Sequence, residues 1–293
     1  MKRSRFRPNF FTLPATIFLL AFTIFPLVYL LYLSSLNFVL RAATPVTFVG
    51  LSNYIAAFTS PQFQQSVVLS LWFGVALTAV ELSLGLGIAL LLNRNTPIAK
   101  FAQVSLILPL MMTPFLIYMD WDYLLIPGVG PIPYIIGVLT GNYNPDFFSA
   151  VPNVYLSLIM LDIWQWLPFV IILALAGLRS LPPQPFEAAS IDGAGNWAKF
   201  RYLTLPLLRP VLAIIILFRL VDSFKIFDSL QLFTGGGPGT DTYFINWLVY
   251  ETGLGFIGNV GLSSAYSVIY LAIVFAIAGS MMYVIYRSVN LER

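Results

Sequence analysis

Several charged residues fall inside apolar runs long enough to cross a bilayer, and they define the chemistry open to this chain. Glu81 interrupts one such run, and Arg219, Asp222, Lys225 and Asp228 recur every three residues in another. A charge at the centre of a membrane helix costs about 2.5–3.5 kcal/mol on insertion scales, so each must face protein or water. Three-residue spacing brings neighbouring side chains together on a helix, which lets opposite charges pair. Pairing between helices and lining of a polar pathway both meet that demand. A further run carries Asp162, Trp164, Gln165 and Trp166. Aromatic faces pack on the apolar side of a sugar while acids and amides bind its hydroxyls, although tryptophans also mark membrane interfaces.

Bond-making chemistry has little to work with. There is no histidine and no cysteine among the 293 residues, which removes the commonest general base, the commonest zinc ligands and every thiol nucleophile. Gly235-Gly236-Gly237-Pro238-Gly239 is not followed by the Lys-Ser or Lys-Thr of a phosphate loop and reads as a turn. Asp120 and Asp122, beside Trp121 and Tyr123, read as solvated acids at a helix end.

The elements that position these groups follow from composition. Hydrophobic residues make up 59% and charged residues 9%, against about 25% charged in soluble domains. Six stretches meet the requirement of about 20 apolar residues per span: roughly 10–36, 67–92, 101–119, 153–178, 208–230 and 262–286. The expected fold is therefore all-α, a polytopic membrane protein with six transmembrane helices forming one domain over 1–293. The first run is too long for a signal peptide and lacks a small-residue cleavage site, so it is expected to stay as an anchor. The apolar piece Tyr134–Leu139 is too short to span, and the prolines around it break longer helices.

Lysine and arginine set the orientation. Lys2, Arg3, Arg5, Arg7, Arg94, Lys100, Arg179, Lys199, Arg201, Arg209, Arg287 and Arg293 fall on one side of the six spans, and Arg41 lies in a loop on the other. Both termini are thus expected in the cytoplasm. The net charge of +3 reads as a topology signal, with no nucleic-acid partner implied.

One inward segment has a pattern of its own, 182–206 between the fourth and fifth spans. Prolines precede Glu187, which suits a helix start with an acid in its first turn. Ala188 and Ala189 favour helix and leave the backbone open to close approach. Gly193 and Gly195 permit a sharp break, after which Trp197, Phe200 and Tyr202 supply apolar anchors before Leu205 and Pro206 begin the next span. Two short helices around a glycine turn make a docking element. The plainer alternative is an amphipathic connector lying on the headgroups.

The order Glu187-Ala188-Ala189, three residues, Gly193, nine residues, Leu203, one residue, Leu205-Pro206 resembles the EAA motif of ABC importer permeases, with Leu203 where the family usually has isoleucine. Leu13-Pro14-Ala15, Phe25-Pro26-Leu27, Phe48 to Tyr54 and Thr234 to Gly239 are similar to the carbohydrate-type permeases related to MalF. The resemblance implies a type I importer (MetI-like) permease fold, with 182–206 as a cytoplasmic coupling loop. Glu187, Ala188, Ala189, Asp192, Gly193, Leu205 and Pro206 would then couple the spans to the ATPase. It also implies a second homologous permease, two ABC ATPase subunits that hold the ATP and Mg, an extracytoplasmic solute-binding protein, and a lipid surround that is a bacterial or archaeal plasma (inner) membrane. No cofactor is expected on this chain, and no catalysis by it. The implied cargo is a sugar, oligosaccharide, polyol or glycerol-phosphate-like solute. A self-sufficient secondary transporter or channel is the alternative from the residues alone.

Overall fold

The computed structural model describes residues 12–42, 45–256 and 258–291, without side chains at 284 and 286–291. Lys2, Arg3, Arg5, Arg7 and Arg293 lie outside the described residues, as does the side chain of Arg287. The helices, in chain order, are α1 (Leu13–Ser34), α2 (Ser52–Thr59), α3 (Pro61–Leu92), α4 (Pro97–Ser105), α5 (Ile107–Met111), α6 (Pro114–Leu125), α7 (Pro131–Thr140), α8 (Asn153–Arg179), α9 (Gln184–Ile191), α10 (Asn196–Lys199), α11 (Leu205–Ser223), α12 (Ile245–Gly253) and α13 (Val260–Leu291). Among the described residues, five helical stretches are long and apolar enough to cross a membrane, or six if a bent pair counts as one.

That bent pair corrects the expected third span. Instead of one helix over 101–119, Pro97–Met111 and Pro114–Leu125 meet at 101°. Pro114 has no N–H to continue the ladder and pushes Thr113 into extended backbone (ψ 142°), so the helix must restart. The fifth span also differs from the expected 208–230. Helix runs without interruption from Asn196 to Ser223, so α10 is the first turn of this span. A π turn at Phe200–Thr204 joins α10 to α11. The Leu205 N–H reaches back five residues to the Phe200 carbonyl, a register shift beside Pro206, which has no N–H to donate. Helix ends at Ser223, so Lys225 and Asp228 lie beyond it.

The chain forms two compact units, one from residues 1–65 and 248–272, the other from 66–247 and 273–293. In the first, β1 (Leu36–Asn37) pairs antiparallel with β2 (Thr47–Phe48), Leu36 opposite Phe48. Asn53 Nδ2 donates to the Ser34 and Leu36 carbonyls at 2.9 and 2.8 Å, which ties α2 to the end of α1. Helix α1 itself carries apolar side chains that are exposed along its length, as suits a lipid-facing span.

In the second unit, α3, α8 and α11 share a core of Ala89, Val170, Ile171, Ala174, Leu175, Leu208, Leu212 and Ile215. Lipid tails are as apolar as leucine, so close packing and small residues must hold such helices together. Gly177 is one such residue. A Cβ there would stand 2.8 Å from both Leu208 Cδ1 and Val211 Cγ1, whereas one at Gly87 would meet nothing within 4 Å. Gly177→Val is expected to destabilise the purified protein by about 1–3 kcal/mol, the usual cost of overpacking. Thermal unfolding in detergent should show a lowered midpoint for it and an unchanged one for Gly87→Ala.

Candidate functional site

Among the described residues the largest fully buried side chain is that of Arg219, 1% exposed on α11. Its Nε donates to Glu81 Oε2 at 2.6 Å and its Nη2 to Glu81 Oε1 at 2.8 Å, a bidentate pair with α3. The same Nη2 donates to Asp162 Oδ1 on α8 at 2.7 Å, and Nη1 to Asp222 Oδ2 at 2.9 Å one turn along α11. A planar guanidinium offers five N–H bonds in a fixed fork, so one side chain holds three helices in register. Trp166, one turn from Asp162 on α8, lays its ring 5.2 Å from the guanidinium carbon, an attractive cation–π contact. Lys225 Nζ stands 3.9 Å from Asp222 Oδ1 with its side chain 69% exposed, so that pair is loose.

Two cavities adjoin this cluster. One of about 480 Å³ is lined mainly by apolar groups, among them Phe169, Phe218 and Met282. The other, about 150 Å³, is polar and lined by Tyr118, Asp162 and Asp228 among others. Trp166, Asp222 and Lys225 border both.

Asp162, Trp166, Arg219, Asp222 and Lys225 are therefore brought together. Asp228 lines the polar cavity but makes no ion pair among the described residues, because the helical spacing that would set it beside Lys225 ends at Ser223. Trp164 lines neither cavity. It is 40% exposed and packs edge-to-face on Trp121, ring centroids 5.9 Å apart. Gln165 is buried, lines neither cavity, and its Oε1 has no hydrogen-bond partner among the described residues. Glu81 is an intramembrane charge by its sequence, but its partner is 138 residues away. Tyr118 gives no sign of its role, since it is one aromatic residue in an apolar helix.

The segment 182–206 is built around Gly193. Helix α9 starts with Pro183 and Pro185, which need no N–H partner there, and carries Glu187 in its first turn. At its other end Gly193 takes φ +79°. The Ala194 N–H reaches the Ala189 carbonyl at 2.8 Å and the Gly193 N–H the Ser190 carbonyl at 3.2 Å, a Schellman motif that requires a left-handed residue at this position. Lys199 Nζ donates to Ser190 Oγ at 2.8 Å across the turn. Ile191, Trp197 and Tyr202 are 87%, 70% and 71% exposed. Glu187 and Ser190 line a groove of about 370 Å³ with Phe186, Leu178 and Thr204. Ala188 and Asp192 are exposed, while Ala189, Leu205 and Pro206 are half-buried.

Removing the guanidinium strands two buried carboxylates, a loss that costs about 3–5 kcal/mol for buried pairs. Arg219→Leu is expected to lower the thermal midpoint and yield of the purified protein sharply. The triple change Glu81→Leu, Asp162→Leu, Arg219→Leu is expected to recover much of that loss, as unfolding of both variants in detergent would show.

Residues 81–290 match the family described as binding-protein-dependent transport system inner membrane component. The chain is 32% identical over 284 residues to the probable ABC transporter permease protein y4oQ of Sinorhizobium fredii, covering 97% of this chain and 91% of that protein. It is 30% identical over 228 residues to the trehalose/maltose transport system permease protein MalF of Thermococcus litoralis, covering 78% of this chain and 76% of that one. A chain in the crystal structure of a bacterial ABC transporter involved in the import of the acidic polysaccharide alginate superposes with a TM-score of 0.80 at 20% identity, over 94% of each chain. That likeness shows the fold, an ABC-importer permease fold of membrane-spanning helices. With the family match over most of its length and a curated relative along nearly all of it, this chain belongs to the binding-protein-dependent transport system inner membrane components, as the permease subunit of an ABC importer.

Proposed function

We propose that this chain carries sugars, oligosaccharides or polyols into the cytoplasm, together with a second homologous permease, two ABC ATPase subunits and an extracytoplasmic solute-binding protein. ATP and Mg belong to the ATPase subunits. Both termini and the segment 182–206 face the cytoplasm, where the basic residues concentrate. Glu187, Ala188, Ala189, Asp192, Gly193, Leu205 and Pro206 form the coupling surface, and the residues around Arg219 line the solute path. Trp164 and Gln165 belong to the same span as Asp162, at positions that line neither cavity.

The observation that carries this reading is the exposed apolar trio Ile191, Trp197 and Tyr202 around a Schellman turn. Large apolar groups at that exposure need a partner surface, and aromatic anchors beside a rigid turn suit protein docking. The names of relatives such as the trehalose/maltose permease support the cargo class, as do the aromatic and acidic groups that border the cavities.

Gly193→Glu tests the coupling. There is open space around Gly193, so the change acts through its left-handed backbone, at about 1–2 kcal/mol for a residue with a Cβ. In proteoliposomes holding the assembled complex, ATP-driven uptake of labelled trehalose or maltose is expected to fall at least about tenfold while the spans remain folded. Unchanged uptake and unchanged transport-linked ATP hydrolysis would remove 182–206 as the coupling element. Uptake of glycerol 3-phosphate with no uptake of either disaccharide would overturn the cargo class.

A further inference from the structure

Helix α7 lines neither of the two cavities and belongs to none of the spans, yet it exposes a stripe of large apolar side chains. Tyr134, Ile135, Val138 and Leu139 are 62%, 56%, 60% and 78% exposed. Residues three and four apart share a helical face, so these four form one stripe. Pro133 and Gly137, on the opposite face, are buried, and a Cβ at Gly137 would run into the Tyr143 ring. One face is thus packed on the protein and the other is bare. At 10 residues the helix rises about 15 Å, half of the roughly 30 Å hydrocarbon core, so it cannot cross. Both ends close without a charged group. Pro131 at the start needs no N–H partner, and at the other end Gly141 takes φ +80° and donates its N–H to the Gly137 carbonyl at 2.8 Å.

The height of α7 in the membrane follows from α8. Ile132 packs against the cluster of Ile117, Leu125 and Leu161, and Ser157 Oγ donates to the Phe147 carbonyl at 2.8 Å, just after α7. Ser157 and Leu161 lie one and two turns into α8, which starts at Asn153, so α7 is held within about 12 Å of that end. The 27 residues of α8 rise about 40 Å, roughly 10 Å more than the hydrocarbon core, which carries its ends to the headgroups. The segment 182–206 follows Arg179 at the other end. Lipid suits the bare face on three further counts. No Asp, Glu, Lys or Arg occurs between Asp122 and Asp146. Helix α7 packs on α6, whose Phe115, Leu116 and Met119 are exposed too, so apolar surface continues from that span instead of ending in the polar rim of a protein docking site. Tyr134 and Tyr143, both exposed, set their rings 6.3 Å apart, and tyrosines gather where acyl chains meet headgroups. Beyond them Asn142, Asn144 and Asp146 are exposed, as suits the water side.

We propose that α7 lies along the membrane boundary remote from 182–206, its bare face covered by lipid, with Ile135, Val138 and Leu139 among the acyl chains and Tyr134 and Tyr143 at headgroup level. Through Ile132 and Leu125 this contact also steadies α6, the helix that brings Tyr118 to the polar cavity. Because the chain has no cysteine, a Leu139→Cys variant takes a nitroxide spin label at one position. The complex, assembled with cysteine-free partner subunits, is placed in proteoliposomes of phosphatidylcholine and phosphatidylglycerol. Power saturation compares collision with oxygen, which concentrates among acyl chains, and with a nickel chelate, which stays in water. The label at Leu139→Cys is expected about 5–10 Å below the phosphates, the depth of an interfacial helix. Ile135→Cys is expected at a similar depth and serves if the first variant does not assemble, while Asn142→Cys is expected on the water side. Nickel access at Leu139→Cys and Ile135→Cys equal to that at Asn142→Cys overturns the proposal. Labels shielded from oxygen and nickel alike overturn it too, and give the stripe to a protein, the solute-binding protein or the second permease. The depth is read without ATP or solute, so it stands apart from the uptake assay.

Discussion

A guanidinium buried among carboxylates in the bilayer interior is the constraint on which the second unit depends. Neither Arg219 nor Glu81 nor Asp162 can face lipid, and each solves the others' problem at 2.6–2.8 Å. The requirement acts on three helices at once. It sets the rotation of α3, α8 and α11 about their own axes, because a turn of any one of them would carry its charge out of reach. Apolar packing then fills in around that register, with Ala89, Ala174 and Gly177 letting the helices come close. Leucine against leucine fixes rotation weakly in lipid, where helices gain little from leaving one apolar contact for another. The polar contact supplies the specificity.

That arrangement has an electrical side. Three carboxylates share one guanidinium, and a second cation, Lys225, stands at the edge of the group. Asp222 belongs to the buried set through Arg219 and to the open side through Lys225, so it couples the interior of the bundle to both cavities.

The legible and illegible parts of this molecule divide on physical lines. Five spans could be read because crossing a bilayer is a demand on one segment alone, satisfied by length and apolarity without reference to a partner. Gly193 could be read as a break for a similar reason, since a left-handed turn is a local property. The bent third span could not. Pro109 and Pro114 announce an interruption, but a 101° turn depends on what the two halves pack against. The pairing of Arg219 with Glu81 was hidden by separation in the chain, and the periodic series Arg219, Asp222, Lys225, Asp228 suggested a continuous charged stripe that the helix end at Ser223 cuts short. Trp164 and Gln165 looked equivalent to Asp162 and Trp166. On a helix, residues four apart share a face and adjacent ones do not, and only Asp162 and Trp166 reach the guanidinium.

The uninterrupted helix from Asn196 to Ser223 has a mechanical meaning. Trp197, exposed at one end, and Arg219, locked at the other, belong to one rod with no loop between them, separated by roughly 30 Å of helical rise. The π turn at Phe200–Thr204 changes the phase of the rod without severing it. No loop intervenes between the indole and the guanidinium that clasps three helices, although Pro210 and the π turn leave two places where the rod can bend. The helix that begins at an exposed indole therefore also carries the side chain on which the three-helix contact depends.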